Sequence, residues 1–289
     1  MSDHDVLFYF DESGDFGYLE KEPKPGSFGV VAGFAFPTRH LSDYSSVLNK
    51  LYSSLDKENC SKVRSAFVFV GDRNERVLNE YLEFFLHSEI LIVYEAICLS
   101  GAYINMQESE FIKQKFSVPK NDNFVRVTKS QQNDIYHSVF ERVVIKLDEI
   151  CKIEGDHSSE MISDNMDKSI LRKARQKITH LSKDQHVYTY KAIDKQEKKE
   201  IKTSIVFKCD YPDLAVQHVK GLSLTDDVAM TFAADLIANS IYRHLKMKIF
   251  VGKENALHSH AMMQDHYLVN RIVFLSDDDM TDKLYNHKC

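Results

Sequence analysis

The chain has 289 residues, 43% hydrophobic and 28% charged, with a net charge of −6, an ordinary globular balance long enough for one large domain or two modest ones. That charge excludes bulk electrostatic attraction to a polyanion, so any contact with nucleic acid has to be local. The scattered cysteines (Cys60, Cys98, Cys151, Cys209, Cys289) form no Cys-x-x-Cys pair and no apolar run reaches membrane-spanning length, so a thiolate zinc site, a disulfide framework, secretion and a membrane partner are all disfavoured, and a cytoplasmic protein is expected.

Taken in order, Leu7 to Phe10 and Ser27 to Phe36 are rich in Val and Phe and bounded by turn residues. They read as an antiparallel hairpin whose long connection contains Pro23, Pro25 and Gly26. From Leu41 to Leu55 the apolar residues recur at spacings of three and four, which predicts an amphipathic helix starting near Ser42 or Asp43. A short strand over Ala66–Val70, a helix over Glu75–Leu86 and a strand over Ile90–Leu99 follow, the last one apolar enough to be covered on both faces. Ser130 to Ile153 is helical again, with a stripe that includes Val139, Val143, Leu147 and Ile150. A short strand over Glu160–Ser163 ends in Asp164-Asn165. The stretch from about 166 to 202 is basic, helical at first and then poorly patterned, and reads as an insertion or lid. Thr203–Cys209 is the last clear strand and Val219–Leu245 the last long helix. Strands with interspersed helices predict an α/β fold, a mixed sheet flanked by helices in a single domain over 1–289.

Chemistry is concentrated at Asp11-Glu12-Ser13-Gly14-Asp15. Asp11 and Glu12 end an apolar strand, and Asp15 follows a turn glycine. Carboxylates fixed at a strand end offer hard oxygen ligands to Mg²⁺ or Mn²⁺, although Glu-Ser-Gly-Asp is equally a good β-turn. Ser13 in this reading serves the turn. Asp164 is another strand-end acid, or else a cap for the helix after it. Asp235 sits within Phe232-Ala233-Ala234-Asp235-Leu236-Ile237-Ala238, where a carboxylate is costly unless paired, hydrogen-bonded or metal-bound; pairing with Arg243 is the alternative.

Lys168, Arg172, Lys173, Arg175, Lys177 and Lys183 come without an acid among them until Asp184, and Lys191, Lys195, Lys198, Lys199 and Lys202 follow. Such a run is either a solvated helix face or a phosphate-contacting patch. Other signals are weaker. Asp15-Phe16-Gly17 imitates a kinase triplet without the accompanying loops. His258, His260, Asp265 and His266 read as a polar face ahead of a metal cluster, and Asp277, Asp278, Asp279 and Asp282 as a solvated acidic end.

The opening Phe10-Asp11-Glu12-Ser13-Gly14-Asp15, together with the late Ala234-Asp235-Leu236-Ile237-Ala238-Asn239-Ser240-Ile241-Tyr242-Arg243, resembles the family catalogued as domain of unknown function 3800, which has an RNase H-like fold. That family usually carries Leu-Gln shortly before the Ala-Asp, where this chain has Thr231-Phe232. The resemblance implies that Asp11 is the first-strand acid, Asp235 the acid of the last helix and Asp164 the strand-end acid between them. It implies a Mg²⁺- or Mn²⁺-dependent nuclease of DNA or RNA, with Asp11, Asp164 and Asp235 as metal ligands and Glu12 and Asp15 as auxiliary catalytic acids. Similar proteins occur in antiviral defence systems. The alternatives are a non-catalytic nucleic-acid- or nucleotide-binding module using Lys168, Arg172, Lys173, Arg175 and Lys177, and an interaction subunit with protein partners or a homo-oligomer.

Overall fold

The computed structural model describes residues 5–16, 27–56, 60–63, 66–69, 72–99, 103, 124–126, 135–153, 155, 157–164, 166–182, 185–194, 199–208, 216–251 and 262–274. The first strand, β1 (Val6–Gly14), is almost wholly apolar up to Phe10, and its odd and even positions point to opposite faces of the sheet. It pairs antiparallel with β2 (Phe28–Pro37), whose long buried run suits a central strand. Helix α1 (Leu41–Ser54) starts after a single 3₁₀ turn over Thr38–His40, without a side-chain cap, and buries Tyr44, Leu48 and Leu51.

A two-stranded hairpin, β3 (Cys60–Val63) with β4 (Ala66–Phe69), leads to α2 (Asp72–His87). Strand β5 (Leu91–Cys98) then joins β2 antiparallel. After the short β6 (Phe124–Arg126) come α3 (Ile135–Ile153), β7 (Ser159–Ser163) and α4 (Lys168–Leu181). Strands β8 (Gln185–Asp194) and β9 (Lys199–Lys208) form an antiparallel hairpin that completes a separate three-stranded sheet with β6. The chain returns to the main sheet with β10 (Val219–Leu224) and covers it with α5 (Val228–Val251).

The fold is α/β, with a five-stranded mixed sheet in the order β10-β7-β1-β2-β5. Strand β7 runs parallel to both β1 and β10. One face, carrying Leu7, Tyr9, Val30, Phe34, Ile92 and Tyr94, packs under α1, α2 and α5. The other, carrying Phe8, Phe10, Val31, Val93 and Met161, packs against α3 and α4. Each fully buried large apolar side chain contributes about 1.5–3 kcal/mol over the exposed state, so both layers are firmly held.

The structure corrects the sequence reading at three places. Val219–Leu224 is a strand, and the helix begins only at Val228. The strand is a half-buried sheet edge with a register shift between Val219 and Gly221, which broke the alternation, and the apolar helix behind it masked the boundary. Asp227 marks the true start: its Oδ1 accepts from the Met230 amide, as an N-cap does. The stretch that looked unpatterned after α4 contains β8, whose strand-forming core Val187-Tyr188-Thr189-Tyr190 is flanked by polar residues; Lys191, just after it, pairs with Lys202 of β9. Finally, Cys98 is disulfide-bonded, against the expectation of reduced thiols, whereas the buried Cys151 is free. Among the described residues no helix is long and apolar enough to cross a membrane.

Candidate functional site

The alternation of β1 decides where its acids point. Leu7 and Tyr9 belong to the core under α5, so Asp11 and Ser13, two and four residues past Tyr9, share that face. Glu12 points the other way and is exposed, and Asp15 is exposed beyond the strand. Gly14 lets the strand end here. Its φ is +98°, and a Cβ at this position would lie 2.3 Å from the Phe28 carbonyl and 2.7 Å from the Tyr242 ring of α5. The missing side chain therefore admits both a left-handed backbone and the close approach of the helix. Tyr242 uses that space to stack on Phe28, with centroids 5.1 Å apart.

The same face receives Asp235. It is 7% exposed on α5 and is held by Asn239 one turn later, whose Nδ2 donates to Asp235 Oδ1 at 2.5 Å and to the Asp235 carbonyl at 3.1 Å. Asn239 is itself anchored from the sheet: Ser13 Oγ donates to Asn239 Oδ1 at 3.2 Å. A continuous polar chain thus runs from β1 to the carboxylate on α5. Ser13, 2% exposed, does more than serve a turn, because its hydroxyl fixes which way the amide faces.

Asp164 reaches the same place by register. Strands β1 and β7 pair Tyr9 with Ile162 in parallel, and continuing that register by two places sets Asp164 alongside Asp11. It is exposed just past the end of β7. The capping alternative falls away, because the cap of α4 is Asp167, whose side chain accepts from the Ser169 amide at 2.7 Å; Asn165 lies outside the described residues.

The placement has an electrostatic consequence. Burial is the largest cause raising the Asp11 carboxyl to about 8, followed by the charges of Glu12 and Asp235 and, more weakly, Asp164; the Glu12 amide, donating at 2.8 Å, opposes the shift. Deeper in the same layer, burial first and then Asp227 and Glu160 push the Tyr9 phenol up to about 12. Like charges thus meet a desolvated carboxyl at the carboxyl end of β1. Its donor set suits a hard divalent cation in charge and chemistry. Among the described residues, however, no three His, Cys, Asp or Glu side chains stand close enough to surround one ion.

The basic segment is divided. Lys168, Arg172 and Lys173 are exposed on α4, and a surface cleft of about 510 Å³ runs along the helix past Lys168, Arg172, Gln176 and His180. Arg175 lines the same cleft and is exposed, although its Nε donates to the Leu222 carbonyl at 2.9 Å, whereas Lys177 is engaged with α3, its Nζ 2.6 Å from Glu141. Lys183, Asp184, Lys195 and Lys198 fall outside the described residues, as do His258, His260 and the acidic end at Asp277, Asp278, Asp279 and Asp282. His266 has both ring nitrogens engaged, with Nδ1 accepting from the Leu268 amide at 3.2 Å and Nε2 donating to Ser240 Oγ at 2.9 Å. Asp265 pairs with Lys248 at 2.6 Å.

Ser13 and Asn239 are the site residues that sequence reasoning missed. The signal for Asn239 was present, since an Asp–Asn pair at a spacing of four shares one helix face. No protein-family profile, curated protein or solved structure matches this chain.

Proposed function

We propose that the chain is a divalent-metal-dependent phosphodiester hydrolase of RNase H-like type, acting on DNA or RNA. One observation carries this reading: Asp11, Asp164 and Asp235 come from two adjacent parallel strands and the last helix to one end and one face of the sheet, with burial first and like charges second raising Asp11. Ligand sites in open α/β sheets favour the carboxyl ends of strands. The sheet order also supports it. Renumbered along the chain, the main sheet reads 3-2-1-4-5 with only the second strand reversed, the arrangement of RNase H-like proteins.

Asp11, Asp164 and Asp235 would hold Mg²⁺ or Mn²⁺, which when bound supplies an activated water and neutralises phosphate charge. The chain's own residues do the rest. The Glu12 amide orients Asp11, and Asn239, fixed by Ser13, orients Asp235. Glu12 and Asp15, exposed beside them, are the auxiliary acids of this reading.

The test is a panel of single- and double-stranded DNA and RNA incubated with the purified chain in chelator, Mg²⁺ or Mn²⁺, beside Asp11→Asn and Asp235→Asn. Cleavage is expected only with metal and in neither variant. Cleavage in chelator, or cleavage surviving Asp11→Asn, would contradict the mechanism. A second reading, a non-catalytic nucleic-acid-binding module, is favoured by the cleft along α4 with Lys168 and Arg172. Tight binding without cleavage of any substrate would select it.

A further inference from the structure

The segment after α5 folds back on that helix and sets an aromatic ring in an unusual position. Tyr267 is 52% exposed, yet it is fixed at one face and one end. Its ring stacks on His266 with centroids 4.4 Å apart, and its hydroxyl lies 2.6 Å from Ser240 Oγ. His266 cannot move to follow it, because it is 2% exposed and hydrogen-bonded through both ring nitrogens. Enclosure of the hydroxyl end raises the phenol's pKa while the ring stays open to solvent.

The ring borders a cleft of about 380 Å³ that Leu236, Asn239, Arg243 and Met247 also line. Asn239 is the residue that holds Asp235, so the cleft adjoins the acidic centre. A tyrosine kept only for packing would gain from burying its ring. This one is rigid and half exposed, so it loses little freedom when a flat partner covers it. Base stacking on such a ring tolerates any sequence, and a nearby guanidinium suits the adjoining phosphate.

We propose that Tyr267 is a stacking platform for an unpaired nucleobase, placed beside the acidic centre so that the strand entering it is single-stranded at that point. A paired base within a duplex has both faces covered by its neighbours, so the platform selects unpaired segments. The inference rests on the hydrolase reading above and deepens it by naming the substrate class.

Fluorescence anisotropy of the full chain with labelled single-stranded DNA and RNA oligonucleotides and their duplexes, at fixed Ca²⁺, tests it. The wild type is expected to bind single strands more tightly than duplexes. Tyr267→Leu should weaken single-strand binding on the order of tenfold while leaving duplex binding unchanged, and Tyr267→Phe should retain most of the affinity. A Leu variant that binds single strands like the wild type, or loses both ligands alike, overturns the platform and leaves the hydrolase reading standing. A wild type that binds neither ligand overturns both. Photo-crosslinking of a 5-bromouridine single strand to the unmodified chain gives a second measurement that does not depend on how the variants fold. Crosslinks to Tyr267 are expected, and crosslinks confined to other residues overturn the proposal.

Discussion

The two faces of the sheet treat buried charge in opposite ways. Toward α3, Glu95 of β5 and Lys146 form an ion pair at 2.8 Å, with side chains 3% and 1% exposed, and the ammonium also donates to the Tyr94 carbonyl at 3.3 Å. Toward α5, Asp235 meets an amide from Asn239 and a second acid, Asp11. The first pair is internally compensated and can remain where it is without a ligand. The second concentrates like charge in a desolvated place, an arrangement a stable core does not need and a cation-binding centre does.

The largest expected effect breaks the compensated side. Lys146→Met strands the Glu95 charge and should cost about 3–5 kcal/mol in denaturant unfolding, whereas Lys146→Met with Glu95→Leu should be near neutral or stabilising. Equal losses in the single and double variants would show that packing of the lysine stem, not its charge, matters there.

Removing charge on the other side should have the opposite sign. Asp11 is raised from 3.8 to about 8 in the folded state, so the folded chain holds more protons than the unfolded chain between those values. Stability therefore falls as pH climbs through that window. Asp11→Asn lacks this penalty. Without added metal it should match the wild type near pH 4 and exceed it by on the order of 1–3 kcal/mol at pH 8, measured by urea unfolding across pH. A variant less stable than the wild type at pH 8 would place a compensating partner on Asp11.

A smaller effect sharpens the role of the amide chain. Ser13→Ala leaves Asn239 Oδ1 without its donor and should cost about 1–3 kcal/mol, with Mn²⁺ affinity lowered about tenfold or more by the loosened ligand. Unchanged affinity at reduced stability would make the hydroxyl purely structural. The smallest effect concerns α4. Arg172→Glu or Lys173→Glu should each reduce the salt dependence of nucleic-acid binding by roughly one unit of slope, and Lys177→Glu, whose native charge faces Glu141, should act mainly on stability.

Much of this was legible in the sequence because periodicity is strong where burial is one-sided. The run to Phe10 gave β1, and the spacing over Leu41–Leu55 gave α1. Asp11 and Asp235 stood out because acids are expensive beside such apolar neighbours. What was hidden depends on partners distant in sequence. Ser13 looks like a turn residue until α5 brings Asn239 to it across 226 positions. Glu95 sits in an otherwise apolar strand and Lys146 among several charged residues of its helix, and only the packing of α3 on β5 shows that they neutralise one another. Strand β10 was lost because an edge strand with a bulge keeps no clean alternation, and β8 because its ends are polar and it lies within a run rich in lysine.

On the proposed reading, the like charges that burial and α5 bring together at Asp11 and Asp235 are the place where a divalent cation binds. Titration calorimetry with MnCl₂ at pH 7, in two buffers of different ionisation enthalpy, tests it most directly. The wild type is expected to bind Mn²⁺ with release of protons, because Asp11 must lose its proton to serve as a ligand. Asp11→Asn should bind far more weakly and release none, while the Lys146→Met, Glu95→Leu variant binds like the wild type. No binding by the wild type, or equal binding by Asp11→Asn, would contradict the account.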